Sequence, residues 1–399
     1  MGQNGPEGVP YRRLIGLPGV GAQAVLGFLA QLTQQVAPVG MVLVVQGASG
    51  SLALAGTTAA TFSVGAGMGR PVQGRLMDRH GTRPVLAATA LLHVAALLAL
   101  LGCARQGWPW WPMVVLAWVA GIGLPPISVS MRIEWGRRIA AENRTAAYSL
   151  VYLVQEFAMM AGPLVFGLLI AVASSSLALG AVTAAAGLGT LAFARALRVG
   201  SNPSSRGRGR VFADRRMPVL LAVVLLHGGT FGALQVGMPA LAAARDLPAA
   251  TGLLVAALSL GGIAGAMAYG ARSWRSPVPV RLVWLMLALG LALAPLVLIG
   301  PLPLFGVVLF AGGLALNPAL TTSSLLVDEY APAAQAEAFG WVSTALGMGG
   351  AAGSAVAGLV GESFGPTVPF LAAAVFALVG AALATPLLRG GRGPGPGLR

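Results

Sequence analysis

Residues 74–83 read Gly74-Arg75-Leu76-Met77-Asp78-Arg79-His80-Gly81-Thr82-Arg83, and the stretches on either side give them their meaning. Residues 48–70 before them carry a charge only at Arg70, and residues 84–103 after them carry none. A helix that crosses a bilayer needs about 20 mostly apolar residues. The ten residues therefore read as a short basic turn between two membrane spans. Gly74 allows close helix packing, and Gly81 allows a tight turn that a side chain would resist. Asp78 can accept hydrogen bonds from a neighbouring helix N-terminus or pair with an arginine.

The same alternation fills the chain. Of its 399 residues 56% are hydrophobic and only 9% charged, where a soluble protein carries roughly a quarter. Apolar stretches predict spans over 14–37, 48–70, 84–103, 110–131, 146–171 and 177–198, then 217–241, 249–271, 281–299, 302–327, 337–360 and 366–388. Twelve spans use nearly the whole length and leave no room for a soluble domain. The expected fold is thus all-α and polytopic. Met1 to Pro10 lacks the basic stretch and cleavage site of a signal peptide, so the first span is expected to remain in the membrane.

The net charge of +14 would suggest nucleic acid in a soluble protein. Here it follows from sidedness. All basic residues are Arg, and if the N-terminus is cytoplasmic the alternate loops leave only Arg105 and Arg245 on the outer side. That is the positive-inside pattern, and it places both termini in the cytoplasm. The abundance of Arg, Ala and Gly points to a GC-rich bacterial genome, hence a bacterial plasma membrane. Cys103 is the single cysteine, which excludes internal disulfides and a cysteine metal site.

The chain also repeats itself. Gly27, Gln34 and Pro38 in the first span match Gly228, Gln235 and Pro239 in the seventh at a shift of 201. Ser63, Gly65, Gly69 and Gly74 match Ser259, Gly261, Gly265 and Gly270 at 196; Gly121 and Pro126 match Gly313 and Pro318 at 192. Ala147, Gly162 and Gly167 match Ala338, Gly353 and Gly358 at 191. Four sets in chain order predict two pseudo-symmetric six-helix bundles, 1–198 and 217–388, joined by a linker at 199–216 and followed by a tail at 389–399. Bundles so related form a recurrent transporter plan with substrate near mid-membrane between them.

With twelve spans in place, residues 74–83 resemble the G-x-L-x-D-R-x-G-x-R signature of the major facilitator superfamily. The resemblance implies that family's fold, secondary transport by alternating access, and a gating role for Gly74, Asp78, Arg79, Gly81 and Arg83 on the cytoplasmic side. Gly270-Ala-Arg272 in the second half has lost the acid. The loop before the eleventh span instead carries Asp328, Glu329 and Glu337, and these acids are expected to meet arginines of the 2–3 or 4–5 loop. Gly162, Pro163 and Gly167 on the fifth span partly resemble a helix-5 packing motif of family antiporters, which tilts the expectation toward export. The helix-4 arginine of many proton-coupled exporters is replaced by Ala117.

Ionisable and polar groups at mid-membrane depth are functional candidates. Glu156 lies twelve residues after Arg144, ~18 Å along a helix, where a carboxyl could take up and release a proton; packing through a protonated carboxyl is the alternative. Gln23, Gln31 and Gln34 share a face of the first span, and His227 and Gln235 share one of the seventh. Gln31, Gln34, His227, Gln235 and Asn317 are candidate substrate contacts, with interhelical hydrogen bonding as the alternative for each. His93 is expected to pack as a neutral side chain. Trp108, Trp110 and Trp111 read as interface anchors. No nucleotide loop, metal cluster or hydrolytic constellation stands out, so an enzyme is not expected, nor a cofactor. The expected function is proton-coupled efflux of small amphipathic or drug-like molecules by a monomer in a lipid bilayer. Uptake of a polar metabolite such as a sugar, or a non-transporting sensor or scaffold, remains the alternative.

Overall fold

A computed structural model describes residues 11–198, 210–247 and 250–391. Among them all regular structure is helical. A short helix, Tyr11–Ile15, precedes α1 (Val20–Ser49), α2 (Leu52–His80), α3 (Thr82–Arg105), α4 (Trp110–Arg138), α5 (Arg144–Val172) and α6 (Ser175–Ala196). The second half holds α7 (Arg216–Ala244), α8 (Ala250–Ala271), α9 (Val278–Leu293), α10 (Leu302–Tyr330), α11 (Gln335–Phe364) and α12 (Val368–Ala384). Eleven of these twelve are long and apolar enough to cross a bilayer. The other, α2, carries several Gly and Thr and a charged C-terminal end, and it packs on α1, α4 and α11 while Val64, Met68 and Val72 stay exposed.

Three predicted boundaries shift for identifiable reasons. The first span runs on to Ser49 rather than stopping at Pro38, since a helix packed among neighbours tolerates an interior proline. The second continues through Arg70 to His80, where Gly81 at φ 88° turns the chain directly into α3. The fourth breaks between Ile122 and Ile127, where Pro125 and Pro126 remove donors, and resumes as far as Arg138. The linker is described only from 210. There Val211 is buried and the Phe212 ring meets Trp341 edge-on at 5.7 Å. Its residues 199–209 and the tail beyond 391 lie outside the described residues.

Two six-helix bundles result, and the duplication is realised in their packing. In the first, α1 packs on α6, α2 and α3 on α4, and α3 on α6; in the second, α7 packs on α12, α8 and α9 on α10, and α9 on α12. Glycines set the crossings. A Cβ on Gly65 would overlap the Trp118 carbonyl, and one on Gly261 the Phe310 carbonyl. Gly121 abuts Phe62 of α2, and Gly313 abuts Leu258 of α8. Trp118 and Phe310 are themselves 192 apart, and Phe62 and Leu258 are 196 apart, the shifts of their helices. The repeat in sequence is therefore a repeat of backbone contacts. Between the bundles the main contacts are α2 with α11 and α5 with α8, supplemented by α5 with α10.

Candidate functional site

The surface between the bundles holds a series of buried polar contacts. At the arginine-rich end Gly74 lets α2 meet the start of α11, where any Cβ would collide with the Ala336 carbonyl. One turn on, the Asp78 carboxylate accepts the backbone N–H of Ala336 at 3.2 Å and of Glu337 at 2.9 Å. It thereby caps a helix of the other bundle and meets the positive end of its dipole. Arg75 reaches past it to Glu337 with Nη2 at 2.6 Å and Nε at 3.2 Å. Arg83 turns back within its own bundle and donates to the Leu197 carbonyl. Arg79 is exposed.

The α5–α10 contact is built the same way. Tyr148 donates to Asp328 at 2.5 Å, Arg144 lies 3.7 Å from the same carboxylate, and Gln335 donates to its other oxygen at 2.9 Å. Deeper, Ser149 lies 3.3 Å from Thr321, and Tyr152 lies 3.0 Å from Ser324. Glu329 instead faces Arg216 at 3.2 Å, within the second half. Arg216 is also bonded by Asp214 at 2.8 Å, and this hydrogen bond holds the Asp214 carboxyl below the usual carboxylate range.

At mid-depth the structure brings two predicted residues together across the interface. Asn317 of α10 donates to Glu156 of α5 at 3.0 Å, with Ser259 beside the carboxyl. Gly262 leaves the room, since its Cβ would press on the Asn317 amide. Gln34 is also engaged, accepting from Arg70 at 3.2 Å. Gln235 is exposed on α7.

Other candidates go elsewhere. Gln31 is buried and donates to Gly27 of its own helix at 3.0 Å. Gln23 is tied to Trp135 at 2.7 Å and to the Ala196 carbonyl at 2.8 Å. His227 is buried inside the second bundle against Met286 at 3.4 Å, because eight residues rotate it about 80° from Gln235. His93 is buried and paired with the Ala120 carbonyl at 2.8 Å. On α5, Gly162 packs against Gln35 and Val36 of α1, whereas Gly167 has nothing within 4 Å. Beside them a groove of about 530 Å³ between α1 and α5 is lined by apolar groups such as Val25, Phe28, Phe157, Met160 and Leu164.

Sequence reasoning missed Arg70 and Arg132, which the loop assignment had put among the cytoplasmic charges. Both are buried. Arg132 donates to Gln155 at 3.3 Å and lies over the Tyr152 ring at 4.7 Å and the Phe339 ring at 5.5 Å. The available signal was distance: each arginine stands well inside its helix rather than at its end. No cluster of three metal-ligating side chains occurs among the described residues.

Solved structures share this architecture. The human organic anion transporter MFSD10 (TETRAN) is 17% identical, with 94% of this chain and 100% of that chain covered at a TM-score of 0.70. A bacterial homologue of the iron transporter ferroportin, in an outward-facing state, is 16% identical over 92% and 97% at 0.69. The E. coli fucose:proton symporter FucP is 13% identical over 91% and 97% at 0.69. By sequence the chain matches no curated protein. The family profile is different: its matches over residues 24–333 and 220–398 cover both halves of the duplication. With twelve helices in two like bundles, a glycine-set repeat and that profile in agreement, the chain belongs to the Major Facilitator Superfamily.

Proposed function

We propose that this transporter exports small amphipathic solutes in exchange for protons, with Glu156 carrying the proton. The carrying observation is that the described polar contacts between the bundles gather in the arginine-rich half and end at the Glu156–Asn317 pair. The positive-inside rule favours a cytoplasmic position for that half, and in this reading the bundles are closed on the cytoplasmic side. Rocking one bundle against the other would part these contacts and open the cytoplasmic side. Gly74, Asp78, Arg75 and Glu337 then act as one gate, and Tyr148, Arg144 and Asp328 as the other.

Glu156 sits where such a motion changes its surroundings. In the closed interface it is held by Asn317 of the opposite bundle; after rocking it would lose that partner and meet water. A carboxyl whose solvation differs between two states couples proton binding to the change between them. The apolar groove between α1 and α5 supports an amphipathic solute over a sugar-like one. The three similar structures are named for an organic anion, iron and fucose transporter, so their cargoes give no common answer for this chain.

The test uses energised everted vesicles with a pH-reporting dye, comparing wild type with Glu156→Gln. Amphipathic solutes should dissipate the proton gradient in wild type and not in the variant. Equal dissipation in both removes Glu156 as the carrier, and no dissipation by any solute removes export.

A further inference from the structure

Two arginines, Arg70 of α2 and Arg132 of α4, are buried with neutral side-chain partners and no ion pair. Arg70 is 8% exposed and Arg132 is 4% exposed. The ion pairs among the described residues use Arg75, Arg138, Arg144 and Arg216, and neither of these two. Their side-chain partners are neutral: Gln34 for Arg70, and Gln155 with the face of Tyr152 for Arg132. The Arg132 Nε is buried with no hydrogen-bond partner at all. Both stand against consecutive residues of α11: Arg132 lies over the Phe339 ring, and the Arg70 carbonyl abuts Gly340.

A guanidinium stays charged in a protein, so it cannot escape this cost by losing a proton. A buried charge without an opposite one is strongly unfavourable. Two such charges against one stretch of α11, each held by a glutamine that leaves donors over, need a compensating group. No described ion pair brings a carboxylate to either guanidinium, and Glu156, next to Gln155 on α5, is turned to Asn317. The site lies on the path between the bundles, since Phe339 of α11 covers Arg132 and Gln34 of α1 is only partly buried. Arg70 is ten residues, ~15 Å along the helix, from His80 at the end of α2.

We infer that Arg70 and Arg132 bind the carboxylate of an amphipathic organic anion, so that the transported solute is of that class. Planar guanidinium forks match a carboxylate in geometry as well as charge. Gln34 and Gln155 orient the two forks, and the rings of Tyr152 and Phe339 over Arg132 offer an apolar face to the hydrocarbon body. This names the cargo of the transport reading above and rests on it only for the word transported; the binding itself needs neither a proton gradient nor a direction.

The full chain in lipid nanodiscs would be titrated with benzoate, 1-naphthoate and octanoate, each beside its neutral amide, by calorimetry and by the shift in thermal unfolding. Carboxylates should bind at least tenfold more tightly than their amides and raise the unfolding temperature. Arg132→Gln and Arg70→Gln should each lose at least tenfold of that binding, while Arg281→Gln, a buried arginine engaged by Tyr269 at 2.9 Å, should keep it. Should Arg132→Gln fail to fold, Arg70→Gln decides alone. No carboxylate binding, equal binding of the amides, or binding that survives in the Arg70 variant overturns the inference. Carboxylate binding without gradient collapse in vesicles would instead sink the export reading, and collapse driven only by neutral or cationic solutes would sink the anion.

Discussion

Replacing Asp78 by alanine should open the arginine-rich side of the protein more than replacing any other single gate residue near it. Asp78 supplies the two acceptors for the first N–H groups of α11. Loss of an N-terminal cap costs about 1–2 kcal/mol, and removing a carboxylate from the positive end of a helix adds about 0.3–1 kcal/mol. About 2 kcal/mol corresponds to a roughly 30-fold larger open population. Arg75 makes the shorter contact, 2.6 Å to Glu337, yet its side chain is 58% exposed. Solvent screens such a pair, so Arg75→Ala should raise the open population less than Asp78→Ala does. Ser149 is fully buried between α5 and α10 and serves as the reporter. In a Cys103→Ala, Ser149→Cys background, maleimide labelling from the cytoplasmic side would follow the open population. Labelling that is equal in Asp78→Ala and its parent, or faster in Arg75→Ala than in Asp78→Ala, would refute the capping argument.

Gly261→Leu and Gly65→Leu should each lower the unfolding temperature in detergent, because the added side chain meets a backbone carbonyl that cannot move aside; overpacking of this kind costs about 1–3 kcal/mol. Gly167→Ala, with open space around the position, should unfold within about 0.5 kcal/mol of wild type, and a larger loss would show that the helix-5 motif packs as a unit. The Asp214–Arg216 pair should show a defined pH dependence. Its carboxyl is held below the usual range by Arg216, so its stabilisation is complete above the unfolded-state value and is lost as pH falls through the lower folded one. Thermal melts of wild type and Asp214→Asn should therefore differ by a constant, small amount from pH 7 to 5 and converge below about pH 4; a difference that grows on acidification contradicts the pairing.

Some of the site could be found from single residues. Glu156 is conspicuous as a carboxylate twelve residues inside a helix that begins at Arg144, and Asn317 stands beside a proline directly after an apolar run from Leu302 to Leu316. Their contact with each other could not be read, because 161 residues separate them. Gln31 and Gln34 show the limit more sharply. They are three positions apart on one helix, yet one bonds its own backbone and the other meets Arg70. Arg132 was hidden for another reason: it lies near basic residues that do belong to a loop end, Arg137 and Arg138, and sidedness alone assigns all three alike.

The sequence by itself determined the twelve spans, the side on which their arginines gather and the duplication into two bundles. Hydropathy and charge act on each stretch of chain separately, as it partitions between lipid and water, so a one-dimensional reading captures them. The repeated glycines belong to the same level, since a position that must let two backbones touch excludes every other residue in both halves. Only the tertiary structure decided which polar groups meet between the bundles, that His227 faces Met286 and Gln23 faces Trp135, and that Arg70 and Arg132 are buried with glutamine partners. Those outcomes depend on which neighbouring helix each face is turned toward, a relation among distant segments that no local pattern encodes.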